Sequence, residues 1–359
     1  MNTVALVGTG GYGLRHLLDL LQLHRDGRIE LVALVDVAPT DAARQLVAEY
    51  SCSAAWHSDL VTADTVVIAT PPHTHFDLAR QAILAGSAVY LEKPPVTLLA
   101  DLDALEALPA RRRVEVGFQQ AGATVAALRK AWDEVGRPEV TQIVAYGMLR
   151  RQDSYYERSR WAGEWFLDGQ AVLDGPLFNP LAHVVQAAML LADRFEPAWE
   201  PARVDAECYR SRPINGDDIS AVQVTPRSGP SVLAVGTTSS DVVVPPAVML
   251  HTTEGVVRVV AVSDGASALE ATVTDPDGVA DPLLSLASTR NFVLTVNAAV
   301  QAVGAPGTIP RRAGLARLLA ACVRSAALPS EVDPALPGMI GSLDVDGYRG
   351  LVHAELDRV

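Results

Sequence analysis

Lysine is rare in this chain of 359 residues, which contains only Lys93 and Lys130. Lys93 lies in the segment Glu92-Lys93-Pro94, directly after a short apolar run. Arginine stays protonated in proteins, whereas burial and neighbouring charges can tune the amine of a lysine. We therefore treat Lys93 as a candidate for chemistry. The alternative that composition alone leaves open is a surface lysine at a turn.

A second candidate is His183, because an imidazole titrates near neutral pH and suits a general base. Asn179 precedes it by four positions. If a helix begins at or before Asn179, the two side chains lie on one face of it. Taken by itself, a single histidine in such a position is more often a core residue with its hydrogen bonds satisfied.

Aromatic and cationic side chains are concentrated in residues 155–163, in a chain with only 5% aromatic residues. Tyr155, Arg158 and Trp161 belong to this segment. Aromatic rings with arginine suit the faces and hydroxyl groups of a sugar-like ligand. A packed interdomain loop would have a similar composition, and the sequence leaves both interpretations open.

The N-terminal segment has the pattern of a dinucleotide site. An apolar strand, residues 4–7, is followed at once by the glycine-rich residues 8–13 and then by leucines at helical spacing. Strand, glycine turn and helix are the context in which G-x-G-x-x-G binds a dinucleotide. In that motif Gly8 permits the tight turn, Gly10 admits the pyrophosphate and Gly13 allows close helix packing, while the helix N-terminus attracts phosphates.

The next apolar run ends in Asp36, 23 positions after Gly13. An acidic residue roughly 20 positions beyond the glycine motif commonly binds the hydroxyls of the adenosine ribose. A carboxylate there repels a 2′-phosphate, so we predict NAD, with NADP less favoured. The alternative is a glycine turn that binds nothing.

Further apolar strands are expected at residues 66–69, 89–91 and 114–118, each followed by polar or proline-containing segments. Alternating strands and helices with fully apolar strands predict an α/β Rossmann domain with a doubly wound parallel sheet. Its ligands bind at the carboxyl ends of the strands. We place this domain at residues 1–120. The arginines at 111–113 are interpreted as a solvated loop.

Residues 121–359 are expected to form an α+β domain with a large, mostly antiparallel open sheet. Short β-branched runs separated by turn residues, such as 215–218, predict the strands. The expected strands are 140–147, 220–225, 232–237, 247–252, 256–262 and 269–274, and the expected helices are 124–135, 290–303 and 311–326.

Composition limits the classes of partner. The formal net charge of −13 disfavours binding to nucleic acid or an anionic membrane. The cysteines Cys52, Cys208 and Cys322 have no C-x-x-C spacing, so we expect reduced thiols, no metal site and a cytoplasmic location. No signal peptide or membrane helix is expected from the sequence.

Four motifs in order, V-G-T-G-G-Y-G, T-P-P-x-x-H, E-K-P and V-G-F-Q, resemble the Gfo/Idh/MocA family of oxidoreductases. The resemblance implies that the glycine turn holds a nicotinamide dinucleotide, that T-P-P-x-x-H lines the nicotinamide side, and that the lysine lies where cofactor and substrate meet. The expected cofactor-binding residues are Gly8, Gly10, Gly11, Tyr12, Gly13, Asp36, Thr70, Pro71, His75, Glu92 and Lys93.

The resemblance also assigns a role to His183, because the family places an Asp and a His four apart at the start of a helix. Here Asn179 replaces that aspartate and Gln186 replaces a common second one, and the chain is similar to a subset with a W-A-G segment and an Asn–His pair. Asparagine can hydrogen-bond a hydroxyl but cannot take a proton. The expected substrate-binding residues are Gln119, Tyr155, Arg158, Trp161, Asn179 and His183.

The expected function is hydride transfer between nicotinamide and a carbinol carbon of a sugar, cyclitol or derivative. His183 would act as base and Lys93 would stabilise the alkoxide, although the sequence leaves open which of the two accepts the proton first. Two alternatives remain: a cofactor-retaining lyase or hydrolase with transient oxidation, and a noncatalytic dinucleotide-binding sensor. By analogy with the family, a homodimer or homotetramer is expected.

Overall fold

The computed structural model describes residues 1–261, 267–277, 284–311, 314–336 and 341–351. The chain divides into two compact units. The first unit comprises Met1–Val96, Asp101–Gln119 and Gly265–Thr289, and the second comprises Thr97–Ala100, Gln120–Asp264 and Arg290–Val359. The first unit therefore takes its third segment from the region beyond residue 120.

The first unit is built on a six-stranded parallel sheet, as the sequence predicts. Its strands are β1 (Thr3–Val7), β2 (Glu30–Val35), β3 (Ala55–His57), β4 (Thr65–Ile68), β5 (Ala88–Glu92) and β6 (Val114–Gly117). Their spatial order is β3-β2-β1-β4-β5-β6, the doubly wound order. The order reverses between β1 and β4, and a ligand crevice forms at the carboxyl ends of strands at such a point.

The second unit contains a mixed, mainly antiparallel sheet. The remaining strands are β7 (Val140–Arg150), β8 (Phe166–Leu167), β9 (Gln170–Ala171), β10 (Pro201–Arg210), β11 (Ile219–Pro226), β12 (Ser231–Thr237), β13 (Ser239–Thr252), β14 (Gly255–Val260), β15 (Gly307–Thr308) and β16 (Gly341–Asp344). The sheet order is β14-β13-β7-β12-β11-β10-β15, with β16 paired to β10 and a separate β8-β9 hairpin. The predicted open sheet is confirmed, but it is not a simple meander, because β7 lies parallel to β12 and separates it from β13.

The helices are α1 (Gly13–Arg25), α2 (Asp41–Glu49), α3 (His75–Leu84), α4 (Leu99–Glu106), α5 (Gln119–Glu134), α6 (Asp153–Glu157), α7 (Ala182–Phe195), α8 (Ser267–Thr274), α9 (Arg290–Val303), α10 (Leu315–Ser325) and α11 (Pro329–Val332). Helix α9 has the predicted bounds. Parts of two other predicted elements, Val262 and residues 312–313, lie outside the described residues.

The predicted strand at 269–274 is wrong, because these residues belong to α8. Leu269 and Val273, four apart, are buried in the core of the first unit, where α8 packs against β5 and β6. The β-branched composition suggested a strand. In the helix, however, the hydroxyls of Thr272 and Thr274 donate to the carbonyls four residues earlier, at 2.8 and 2.7 Å.

The arginines at 111–113 lie in a loop between α4 and β6, as predicted, but of the three only Arg111 is exposed. The guanidinium of Arg113 lies 2.8 Å from the carboxylate of Glu115, and both side chains are buried. Glu115 Oε1 also accepts a hydrogen bond of 2.9 Å from the Leu284 N–H. A buried carboxylate needs such partners, and these contacts attach the third segment of the first unit to β6.

The turn predicted at 215–218 contains two buried carboxyl groups of the second unit, Asp217 and Asp218. Asp217 accepts hydrogen bonds from the Trp165 indole, at 2.7 Å, and from the Ser220 hydroxyl. Burial raises the pKa of Asp217 from 3.8 to about 7 despite these donors. The charged form is therefore disfavoured in the folded protein.

This raised pKa predicts how stability changes with pH. Asp217 contributes most to the free energy of unfolding at a pH below its pKa in the unfolded chain. This contribution is lost as the pH rises through its higher pKa in the folded protein. Asp217→Asn keeps the shape without the charge, so it should gain stability relative to wild type between pH 5 and 8. The expected gain is a few kcal/mol, because one pKa unit corresponds to about 1.4 kcal/mol. Thermal unfolding across this range measures it.

Asp64→Asn is the control for Asp217→Asn. Hydrogen bonds from Thr3 and Arg112 lower the pKa of Asp64 to about 2. Its carboxylate is therefore fully charged from pH 5 to 8, and its replacement should lower stability by a constant amount. A constant difference between wild type and Asp217→Asn over this range would contradict the prediction.

Candidate active site

The glycine turn between β1 and α1 is shaped by close backbone contacts. Gly8 has φ +88° and donates its N–H to the Val35 carbonyl at 2.8 Å. A Cβ on Gly8 would lie 2.6 Å from the Ala69 oxygen, and one on Gly13 would lie 2.1 Å from the Gly8 oxygen. Both positions therefore exclude any side chain.

Gly10 differs, because a Cβ there would meet no atom within 4 Å. The same holds for Gly11. Tyr12 is exposed and precedes α1 without capping it through its side chain. No side chain at Tyr12 therefore caps the first N–H groups of α1. The space next to Gly10, close to these N–H groups, is open. This arrangement fits the pyrophosphate of a dinucleotide, because helix N-termini attract anions.

The contrast between Gly10 and Gly13 is testable. Gly10→Val should leave the Tm of the protein without cofactor unchanged but weaken NAD binding at least about tenfold, since its side chain would fill the phosphate space. Gly13→Val should lower stability by more than about 2 kcal/mol through overpacking. Calorimetric NAD titration and thermal unfolding separate the two effects. Unchanged NAD binding by Gly10→Val would contradict the assignment.

Asp36, at the end of β2, is bonded to the glycine turn. Its Oδ2 accepts from the Thr9 N–H at 2.8 Å and from the Thr9 hydroxyl at 2.7 Å, and its Oδ1 accepts from the Ala38 N–H at 2.9 Å. Burial raises the pKa of Asp36, but these donors lower it further, so that it lies below its ordinary value. The carboxylate is therefore charged at neutral pH and fixed beside the turn.

His75 connects two of the predicted cofactor segments. Its Nε2 lies 2.9 Å from the Thr70 carbonyl and its Nδ1 lies 2.8 Å from the Pro94 carbonyl. The imidazole is fully buried, and burial lowers its pKa. The structure thus brings the Thr70-Pro71 segment next to the Lys93-Pro94 segment, whose peptide bond is cis. The imidazole contacts two protein carbonyls, and a part of His75 in cofactor binding stays a prediction.

Glu92 is the centre of a hydrogen-bond network at the carboxyl end of β5. Its Oε1 lies 2.7 Å from His16 Nε2 and accepts from Gln119 Nε2 at 2.6 Å. Its Oε2 accepts from the Lys93 N–H at 3.1 Å. Gln119 Nε2 also donates to the Tyr90 hydroxyl at 3.0 Å. The network fixes the backbone from which the half-buried Lys93 side chain extends.

Two residues of this network were missed by the sequence analysis, His16 and Tyr90. His16 follows Gly13 by three positions and is only 3% exposed on α1. A histidine on the apolar face of that helix was the available signal. Gln119 was expected to bind substrate. Its amide nitrogen donates instead to Glu92 and Tyr90, and a substrate contact by this residue stays a prediction.

In the second unit, the predicted residues Tyr155, Arg158 and Trp161 do come together. The guanidinium carbons of Arg151 and Arg158 lie 3.7 and 3.9 Å from the Tyr155 ring centroid. Both guanidinium groups are therefore in cation–π contact with this ring. Arg158 also lies 5.5 Å from the Trp161 ring centroid. Arg151, four residues before Tyr155, was missed.

Asn179 lies in the turn before α7, because that helix begins only at Ala182. The condition for placing Asn179 and His183 on one helical face is therefore not met. Asn179 Nδ2 donates to Asp174 Oδ1 at 2.8 Å. His183 is the second residue of α7 and is half-buried. Asp174 was missed, although a carboxylate five residues before Asn179 was visible in the sequence.

Among the residues that the structure describes, no helix combines the length and apolar character needed to cross a bilayer. The same residues contain no group of three or more His, Cys, Asp or Glu side chains arranged to hold a metal ion.

Comparison with known proteins agrees with the geometry of the first unit. Residues 2–119 match the Gfo/Idh/MocA family model, described as an oxidoreductase family with an NAD-binding Rossmann fold. The match covers 118 of the 359 residues. Inositol 2-dehydrogenase 1 of Saccharopolyspora erythraea is 34% identical over 126 residues, covering 33% of this chain and 36% of that protein. Inositol 2-dehydrogenase of Gluconacetobacter diazotrophicus is 34% identical over 132 residues, with the same coverage.

The chain thus matches about a third of the length of these curated relatives. Similarity of fold extends further. The crystal structure of the WlbA dehydrogenase from Bordetella pertussis, in complex with NADH and UDP-GlcNAcA, matches 83% of this chain and 95% of its own chain, with a TM-score of 0.67. At 21% identity this match shows a shared fold.

Proposed function

We propose that the protein is an NAD-dependent oxidoreductase that transfers hydride between nicotinamide and a carbinol carbon of a sugar, cyclitol or derivative. The observation that carries the proposal is the Glu92 network. It holds Lys93 at the carboxyl edge of an NAD-binding Rossmann sheet, where ligands of this fold bind. The buried Glu92 carboxylate is stable only because its neighbours are placed to hydrogen-bond it. Such an arrangement next to Lys93 would not be needed if Lys93 were a surface lysine at a turn.

The comparisons support the substrate class. Two relatives are inositol 2-dehydrogenases, and a protein of the same fold was crystallised with NADH and a nucleotide sugar. The arginines stacked on Tyr155 and the nearby Trp161 provide flat surfaces and N–H donors that suit a polyhydroxylated ligand. The charged, anchored Asp36 supports NAD over NADP, because it would repel a 2′-phosphate.

The proposed reaction oxidises the carbinol carbon to a carbonyl. Bound NAD supplies the hydride acceptor. The hydroxyl proton must leave as the C–H bond breaks, and His183 is assigned the role of base because an imidazole suits proton transfer near neutral pH. Lys93 as ammonium is assigned to stabilise the developing alkoxide.

Lys93→Met and His183→Ala should each lower kcat at least about 100-fold, the usual contribution of a general acid or base. Both variants should bind NAD as wild type does, since neither change touches the glycine turn. Turnover is measured as reduced nicotinamide absorbance over a panel of cyclitols, sugars and nucleotide sugars, with NAD and NADP in parallel. Higher kcat/KM with NAD is expected.

Lys130→Met and His251→Ala are matched controls in which the same atoms are lost at positions outside the site, and full activity is expected of both. Unchanged turnover in both Lys93→Met and His183→Ala would overturn the assignment. Bound NAD that survives purification without turnover of added NAD would favour the cofactor-retaining lyase or hydrolase. NAD binding with no turnover of any kind would favour the sensor.

Assembly through the second sheet is proposed as well, as a homodimer or homotetramer. The support is that the neighbouring strands β13 and β14 carry exposed valines, namely Val242, Val243, Val256 and Val260. Exposed apolar side chains at the end of a sheet can form contacts with a second copy of the chain.

Val243→Glu should shift the protein toward monomer, because a charge would be buried in the contact. Val135→Glu, at an exposed valine after α5 in the same unit, should not shift it. Light scattering coupled to size-exclusion chromatography gives the mass of each variant. A monomeric wild type would exclude the proposed assembly.

A further inference from the structure

We propose that Asp174 is a positioning residue that turns the acceptor atom of Asn179 toward the substrate and strengthens it with its negative charge. The inference rests on the proposed function, because it concerns how Asn179 meets a substrate hydroxyl. Residue 179 is an asparagine and carries no charge. The negative charge is on Asp174, to which Asn179 is hydrogen-bonded.

The Asp174 carboxylate is held by both of its oxygens. Oδ2 accepts from the Gly163 N–H at 2.7 Å, and Oδ1 accepts from Asn179 Nδ2 at 2.8 Å. The Asp174 backbone N–H donates to the Glu164 carbonyl at 2.8 Å. The side chain is only 4% exposed. A charged group with this little access to solvent depends on such fixed donors.

These contacts determine which way the Asn179 amide points. An ionised carboxylate can only accept hydrogen bonds, so the amide must turn Nδ2 toward Asp174. Its Oδ1 then points to the other side. Hydrogen bonds in series polarise one another, so the charge of Asp174 makes Asn179 Oδ1 a stronger acceptor than an isolated amide oxygen. An acceptor strengthened in this way suits a hydrogen bond from a substrate hydroxyl.

Tyr155 independently indicates that this region receives a polar ligand. Its hydroxyl is buried and has no hydrogen-bond partner among the described residues. Burial and, next, the negative charge of Asp174 raise the pKa of Tyr155, which places the phenol in the field of that carboxylate. A buried hydroxyl without a partner loses free energy that a polar ligand can restore. Tyr155 thus offers a hydrogen-bond donor, and Asn179 offers an acceptor, in the environment of Asp174.

The geometry predicts the effects of exchanging the two side chains. With Asp174→Asn, Gly163 N–H still requires the oxygen of the new amide, whose nitrogen then faces Asn179. The Asn179 amide must flip, and its donor replaces its acceptor on the substrate side. With Asn179→Asp alone, two carboxylates lie in contact and one must hold a proton. With both changes together, the new amide donates to the new carboxylate, and a charged acceptor faces the substrate again.

The test compares wild type, Asp174→Asn, Asn179→Asp and the double variant, using the panel substrate with the highest kcat/KM. Asp174→Asn should lower kcat at least about tenfold, the size expected for one hydrogen bond that involves a charged group. Asn179→Asp should give a pH profile of kcat with an added ionisation. The double variant should recover activity to within about threefold of wild type, a difference of less than 1 kcal/mol. Asp168→Asn, which removes an exposed carboxylate paired with Arg160, is the matched control and should match wild type.

Thermal unfolding of the same variants between pH 5 and 8 tests the pair without any substrate. Asn179→Asp should lose stability as pH rises, and the double variant should regain it. If the double variant does not recover the stability that Asn179→Asp loses, residues 174 and 179 are not coupled. The inference is then overturned, whether or not a substrate is found. Coupling without kinetic recovery in the double variant would make Asp174 a purely structural residue and overturn its positioning role. A wild type without turnover would instead overturn the proposed function.

Discussion

The first unit depends on the hydrogen bonds made by one buried carboxylate, that of Glu92. A carboxylate removed from water costs several kcal/mol unless donors replace the lost hydration. His16, Gln119 and the Lys93 N–H provide those contacts from α1, from the start of α5 and from the chain itself. Each of these contacts replaces part of the lost hydration, so α1, Gln119 and the Lys93 backbone are held around the end of β5. The same arrangement fixes the backbone that carries Lys93.

The second unit uses buried acids in a comparable way. Asp174 is held by Gly163 and Asn179, Asp217 by Trp165 and Ser220, and Asp218 by Arg212 at 2.9 Å. The Asp217–Trp165 contact joins residues 52 positions apart, whereas the other contacts join residues within 11 positions of one another. The Gly163 N–H attaches the end of the aromatic segment 155–163 to Asp174, in a region with few regular elements. Polar contacts of this kind are directional, so they orient side chains such as Asn179 in a way that apolar packing does not.

Much of the first unit could be predicted from sequence, because its signals are local. Gly8 and Gly13 must be glycine for steric reasons within a few residues of the turn, and Asp36 follows its strand at a regular distance. Helix α8 could not be predicted in this way. Its threonines favour a strand in isolation, and only the burial of Leu269 and Val273 against strands more than 150 positions earlier in sequence makes the helix the better choice.

The sequence by itself determined the glycine turn, the acidic residue beyond it and the two candidate proton-transfer residues, since each depends on residue type and short spacing. The tertiary structure alone decided which side chains those residues contact. Gln119 was predicted as a substrate ligand, which stays a prediction, and in the structure its amide donates to Glu92. Asn179 was expected to share a helical face with His183 only if the helix began at or before it; the helix begins at Ala182, and Asn179 donates to Asp174. The reason is physical: a buried carboxylate takes its donors from whatever the fold brings near, and such partners are not encoded in any local pattern.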